Sequence, residues 1–233
     1  MKNIKLYGIT FLFCVILSSI ALGKTLVVGA TSIPPYYVSS NGKNIDSGPL
    51  YDYMEKIINI AQIKNEWLTL PGKRLYLYLS QGKVHLFGGI TQVPALVKEN
   101  IVFTDCTIGN VGVSLISKTR FSGVLEELNG TVGLVRGLSY LGIRKQFEKK
   151  KSIKLLDIIS HDIGIKMLRR KRIDYLLAYS GKFDAVIPKG LKEFSLKKSD
   201  MRILISKKTK NYRQLKSRLD EAIKSVNPSY CNL

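Results

Sequence analysis

Twice along this chain a short apolar run gives way to an amphipathic stretch, a second apolar run, another amphipathic stretch and a third apolar run. The first series starts with Leu26 to Ala30. A helix opened by Ser47-Gly48-Pro49 follows, in which Leu50, Tyr53, Met54, Ile57 and Ala61 recur at helical spacing, and then a strand over Asn65 to Leu70. Pro71 opens the next helix, which carries Leu75 and Leu79 on one stripe and stops at Gly82, and Val84 to Ile90 is a third strand. In the second series Thr131 to Val135 is a strand, Ser139 caps a helix reaching about Lys150, Ile153 to Ile158 is a strand, Ser160 caps a helix containing Met167 and Leu168, and Ile173 to Tyr179 is a strand. Strands that alternate with helices pair in parallel, because each return to the sheet needs a crossover that lays a helix on its face. The pattern therefore predicts an α/β chain of two βαβαβ units, each building a lobe around a mainly parallel sheet.

Two further extended runs, Gly112 to Ser117 and Arg202 to Lys207, flank the second unit. If each crosses between lobes, the second unit is inserted into the first and the two crossings form a hinge. The expected division is 24–111 with 203–233 in one lobe and 112–202 in the other. A last helix, about Tyr212 to Val226 with Leu215, Leu219 and Ile223 on its packing stripe, returns to the first lobe.

The N-terminus reads as a targeting segment. Lys2 and Lys5 precede an apolar run from Leu6 to Leu22, and Ala21-Leu22-Gly23 offers small residues at a cleavage point. Residues 1–23 are expected to be a secretory signal cut before Lys24; the alternative is an uncleaved anchor, since about 17 apolar-biased residues sit at the short edge of spanning length. Export makes the periplasm the expected location, with the membrane met only through the uncleaved signal. The chain carries 37 Lys and Arg against 17 Asp and Glu, a formal net charge of +20. The basic residues are scattered, with local runs at Lys145 to Lys154 and Lys166 to Arg172, and with export this argues against a nucleic-acid partner. Cys106 and Cys231 are an even pair in a compartment that permits oxidation, either joined or two buried thiols. His85 and His161 stand too far from each other and from the cysteines to suggest metal-ligand spacing; His85 reads as a packed or edge residue and His161, after a helix cap, as a solvated one.

TLVVGATSIPPYYVSSNGKNIDSGPLYDYMEKIINIA, LPGKRLYLYLSQGKVHLFGGIT, VFTD, LNGTVGLVRGLSY and LRRKRIDYLLAY, in that order and spacing, resemble successive blocks of the bacterial extracellular solute-binding proteins of family 3, over about Thr25 to Val226. The resemblance implies the periplasmic type II binding-protein fold, with two lobes on a two-strand hinge, a small-molecule solute and an ABC-transporter permease or a sensor as partner. A monomer is expected. Proteins similar to this fold include dehydratases, so the resemblance leaves catalysis open; because no nucleophile–base pairing stands at readable spacing, the expectation is binding without catalysis, cofactor or metal, with a dehydratase-like enzyme as the lesser alternative. Amino-acid-binding members typically carry an arginine between the third strand and the FTD-like segment, and an aspartate ending the strand that matches RIDYLLAY. Here TQVPALVKENIV has no arginine and Tyr179 stands near the aspartate's place. The solute expected is accordingly polar or anionic rather than an ordinary amino acid.

Ligands of open parallel sheets sit outside the carboxyl ends of the strands. Tyr36 and Tyr37, which follow the first strand, are expected to present rings to that gap. Gly89 lets a ligand approach the backbone and Thr91 offers a hydroxyl. Ser139 lies at a turn into a helix, where free N–H groups favour an anion, with Arg136 just before it. Arg74, early in the helix after Pro71, and Tyr179 complete the candidate set.

Overall fold

The computed structural model describes residues 25–33, 36–40, 44–92, 98–119, 121–136, 138, 140–181 and 188–231. The leader segment 1–23 and Ser139 therefore lie outside the described residues. Strand β1 (Leu26–Ala30) is followed by helix α1 (Pro49–Ile60), β2 (Asn65–Thr69), α2 (Gly72–Gln81), β3 (Leu86–Ile90), β4 (Ile101–Phe103) and β5 (Gly109–Ser117). Then come β6 (Gly130–Val135), α3 (Ile143–Glu148), β7 (Ile153–Ile158), α4 (His161–Arg169), β8 (Tyr175–Gly181), β9 (Lys192–Ser206) and α5 (Tyr212–Val226).

Among the described residues these strands form one sheet in the order β2-β1-β3-β9-β5-β8-β6-β7, with β4 beside β9. Each half repeats one motif. The first strand of the unit lies centrally, its second strand outside and its third inside, all parallel: β2-β1-β3 in one half and β7-β6-β8 in the other. The halves are joined by β5 and β9, which run antiparallel from Gly109 opposite Met201 to Ser117 opposite Lys192. This is an α/β architecture of two lobes on a pair of shared strands.

Period-two alternation assigns each lobe its two helix layers. Val28, Leu86, Ile203 and Ile205 pack under α1 (Leu50, Met54, Ile57, Ile58) and α5 (Leu215, Leu219, Ile223). On the opposite face Leu75 and Leu79 of α2 meet Val27, Val84 and Leu204. Helix α2 ends at Gly82, whose φ of 76° is the left-handed conformation a helix stop requires. In the second lobe Val113, Val132, Leu134 and Leu177 pack beneath Phe147 of α3, and Ile116, Ile158 and Leu176 meet Leu168 of α4. The Ser160 hydroxyl accepts a hydrogen bond from the Ile163 amide and caps α4.

Two expected elements differ. The helix placed from Ser139 to Lys150 is a 3-10 turn at Tyr140–Gly142 followed by only Ile143–Glu148. Tyr140, Leu141 and Gly142 all have positive φ (49°, 53° and 88°), which breaks helical propagation and turns the Tyr140 ring inward. The last strand begins at Lys192 rather than Arg202, because Phe194 and Leu196 reach the second core between polar neighbours that make the segment look like a loop.

Cys106 and Cys231 are joined by a disulfide, with their Cα atoms 4.3 Å apart. It ties the segment after α5 to the chain between β4 and β5, beside hydrogen bonds from the Thr107 amide to the Tyr230 carbonyl and from the Cys106 amide to Asp220. Closing a loop of 125 residues removes much of the unfolded chain's freedom. Replacing both cysteines by serine is expected to lower unfolding free energy by about 2–4 kcal/mol, measured by urea titration of variant and parent.

Candidate functional site

Register places the carboxyl ends of the two parallel units against each other. At the end of β3, Ile90 lies opposite Met201 of β9. At the end of β8, Gly181 lies opposite Val111 of β5, two residues from the Gly109–Met201 pair. The carboxyl ends of β3 and β8 thus meet at the lobe junction, and Ile90 and Tyr179 pack against the cores of both lobes.

The segment after β1 folds back on itself through bridges between Ile33 and Tyr37 and between Val38 and Ser47. Both tyrosines are drawn inward: Tyr36 is buried and Tyr37 is 3% exposed. The Tyr37 hydroxyl donates to the Gly88 carbonyl at 3.1 Å and its ring lies 5.9 Å from that of Trp67. Burial pushes its phenol far above the ordinary tyrosine range. A side chain at Gly88 would place its Cβ 2.8 Å from this hydroxyl and 2.7 Å from the Met54 sulfur, so the glycine is what lets the tyrosine seat against β3. In this structure both side chains belong to the first lobe's core, whereas the sequence expects their rings to face the gap.

Of the remaining candidates in the first lobe, Gly89 is buried, with Phe87 ring atoms 2.5 Å from where its Cβ would be. Thr91 is half-buried and its amide donates to the Asp200 carbonyl. Arg74 is exposed on the first turn of α2. In the second lobe Arg136 is exposed immediately after β6, its amide donating to the Ile158 carbonyl. The Asp157 carboxyl is held below its usual range first by hydrogen bonds from Arg144 and further by the positive charge of Arg136.

Among the described residues the junction between the lobes is aromatic. Tyr179 accepts the Tyr140 amide on its hydroxyl at 3.1 Å, and the two rings stack with centroids 5.0 Å apart and 24° between planes. The Tyr140 hydroxyl in turn accepts the Val135 amide at 2.8 Å and lies 3.4 Å from His161 Nε2. Across the junction, Tyr76 of α2 packs edge-on against Phe87. Its phenol is raised to about 12, chiefly by burial and then by the Tyr179 phenol facing it. Tyr76 and Tyr140 escape a reading of the sequence. Tyr76 adjoins Leu75 on a helix stripe and looks like packing; Tyr140 looks like an ordinary helix residue until its left-handed backbone is known.

His161 is half-buried against Tyr140, a correction to the solvated position expected. Burial lowers its pKa. His85 is buried, and its Nδ1 accepts the Val27 amide at 2.9 Å, so its imidazole is part of the β1–β3 junction. Among the described residues no three His, Cys, Asp or Glu side chains meet as metal ligands.

No protein-family model matches the chain, and no curated protein sequence matches it. Solved structures do. The substrate-binding protein of an amino acid ABC transporter superposes over 89% of this chain and 95% of its own, with a TM-score of 0.58 and 19% identity. The GluR0 ligand-binding core from Nostoc punctiforme, solved with L-glutamate, covers 88% of this chain and 94% of its own at a TM-score of 0.61 and 15% identity. A histidine kinase sensor domain with similarity to periplasmic binding proteins covers 88% and 91%, also at 0.61, with 16% identity. The fold is that of the type II periplasmic binding proteins. On that fold Ile90 and Tyr179, with Tyr140 stacked on Tyr179, stand at the junction between the two lobes.

A histidine kept neutral by burial makes stability depend on pH. Because the folded pKa lies below the unfolded value, the unfolded chain binds more protons between the two, so stability rises with pH through that window and is lost as pH falls below about 6.5. The His161→Gln variant should lose part of the drop in melting temperature that the parent shows between pH 7.5 and 5.5, read by circular dichroism.

Proposed function

We propose that this protein is a solute-binding protein that closes on a small polar or anionic solute and delivers it to a separate membrane partner, an ABC-transporter permease, from the periplasm. The observation that carries the reading is the facing of β3 and β8 ends across two connecting strands. The lobes, 24–111 with 203–233 and 112–202, rotate about those connections and so bring Arg136, Ser139 and Tyr179 toward Arg74, Gly89 and Thr91. Arg136 supplies the charge, which favours a carboxylate or similarly charged group. The rings of Tyr76 and Tyr179 add apolar walls with polar tips. Tyr36 and Tyr37 belong to this reading as the support for the first lobe's face. The work is binding without catalysis, and it uses a monomer with no cofactor or metal.

A second reading is a receptor module that reports occupancy to a sensor, favoured by the match to a histidine kinase sensor domain over 88% of the chain. Both readings require the same closure and differ in the partner.

Thermal-shift screening against anionic metabolites, amino acids and small peptides tests the shared step: a solute at 100 times its dissociation constant adds about 2.7 kcal/mol of stability. Absence of any shift across such a panel would remove solute binding. With the solute found, Arg136→Ala is expected to weaken binding at least about tenfold, roughly 1.4 kcal/mol, by titration calorimetry; unchanged affinity would take Arg136 out of the site.

A further inference from the structure

The second lobe has a pole opposite the cleft, and the ladder register fixes what stands there. Ser117, the last residue of β5, lies opposite Tyr175 at the start of β8 and Lys192 at the start of β9. Helix α4 runs toward the same pole and delivers Arg169-Arg170-Lys171-Arg172 just before β8 begins. The turn is built rather than loose: Lys171 has φ of 56°, its amide donates to the Leu168 carbonyl, and the Arg172 amide donates to the Met167 carbonyl. Lys118 Nζ donates to the Arg169 carbonyl at 2.7 Å, joining the strand end to the helix end. Six cations, Lys118, Arg169, Arg170, Lys171, Arg172 and Lys192, are thereby exposed together. Neighbouring strands are spaced about 4.8 Å apart, so this is a compact patch.

Among the described residues every ion pair involves Arg144 or Lys216, so no carboxylate pairs with any of the six. A helix C-terminus favours cations in its last turn, which accounts for Arg169. It does not account for Lys171 and Arg172 beyond the cap, nor for the two strand-borne lysines. Like charges held close destabilise the lobe unless something anionic covers them.

We infer that this pole is a docking surface for an anionic lipid bilayer, which would leave the cleft at the far end of the lobe open to solution. Among the described residues the patch exposes no aromatic ring for base stacking, since Tyr175 is half-buried and turned edge-on to Phe121. Dispersed long basic side chains around a rigid turn fit a surface of delocalised negative charge, an attraction that fades beyond about 8 Å at physiological salt.

The test is co-sedimentation of the purified full chain with phosphatidylcholine vesicles and with vesicles containing 30% phosphatidylglycerol, at low and high salt. Binding to phosphatidylcholine reads any contribution of the apolar N-terminal segment, and the excess with phosphatidylglycerol reads charge. The expected result is an excess that salt abolishes and that Arg170→Glu/Lys171→Glu/Arg172→Glu reduces at least about tenfold. A control with the same change of charge in the other lobe, Lys207→Glu/Lys208→Glu/Lys210→Glu, is expected to keep most of it. Equal losses in both variants would show that net charge alone attracts the protein and would overturn the inference. So would no excess at low salt, or binding to random duplex DNA in preference to the vesicles. Circular dichroism melts of both variants establish that each is folded.

Discussion

The long antiparallel pairing of β5 with β9 is the constraint on which the rest of the molecule depends. Without it there would be two small βαβαβ sheets, each leaving the side of its third strand unpaired. With it, β3 pairs with the last part of β9, and β8 pairs with β5. A single ladder thus closes both inner edges. Because β9 runs antiparallel to β3, and β5 antiparallel to β8, the pairing also forces the carboxyl ends of the two parallel units to look at each other. The facing of these ends follows from strand direction before any particular side chain is considered.

Hydrogen bonding at the junction shows how the two halves meet. Tyr179 comes from the last strand of the second parallel unit and packs against both cores, while its hydroxyl occupies the Tyr140 amide. Tyr140 passes the connection on to β6 through the Val135 amide and to α4 through His161. The first lobe answers with Tyr76, whose phenol feels that of Tyr179 across the gap. The junction is thus aromatic and hydroxyl-rich, its rings burying area while their hydroxyls accept backbone amides.

Much of this architecture can be read from the chain. Asn65–Thr69, Ile153–Ile158 and Tyr212–Val226 follow directly from apolar periodicity and turn residues, and the Ser160 cap follows from its position before an amphipathic stretch. What escapes has physical causes. The first half of β9 pairs with β5 through its backbone while most of its side chains face water, so polarity hides it. Helix α3 is cut short by three successive left-handed residues, two of them non-glycine, a conformation that no local pattern announces. At the junction the sequence does not tell which rings turn in. The inward turn of Tyr37 depends on the notch at Gly88, which is 51 residues away in the chain.

The bond between Cys106 and Cys231 has a mechanical corollary. It encloses β5 through α5 in a covalent ring of 125 residues' separation. Tension applied at the two ends of the polypeptide would travel from β1 to β4, cross the sulfur bridge and leave near the C-terminus, never stretching the inserted half. That half could melt and re-form under load without lengthening the molecule, whereas, among the described residues, the four strands and two helices before Cys106 would bear the whole pull.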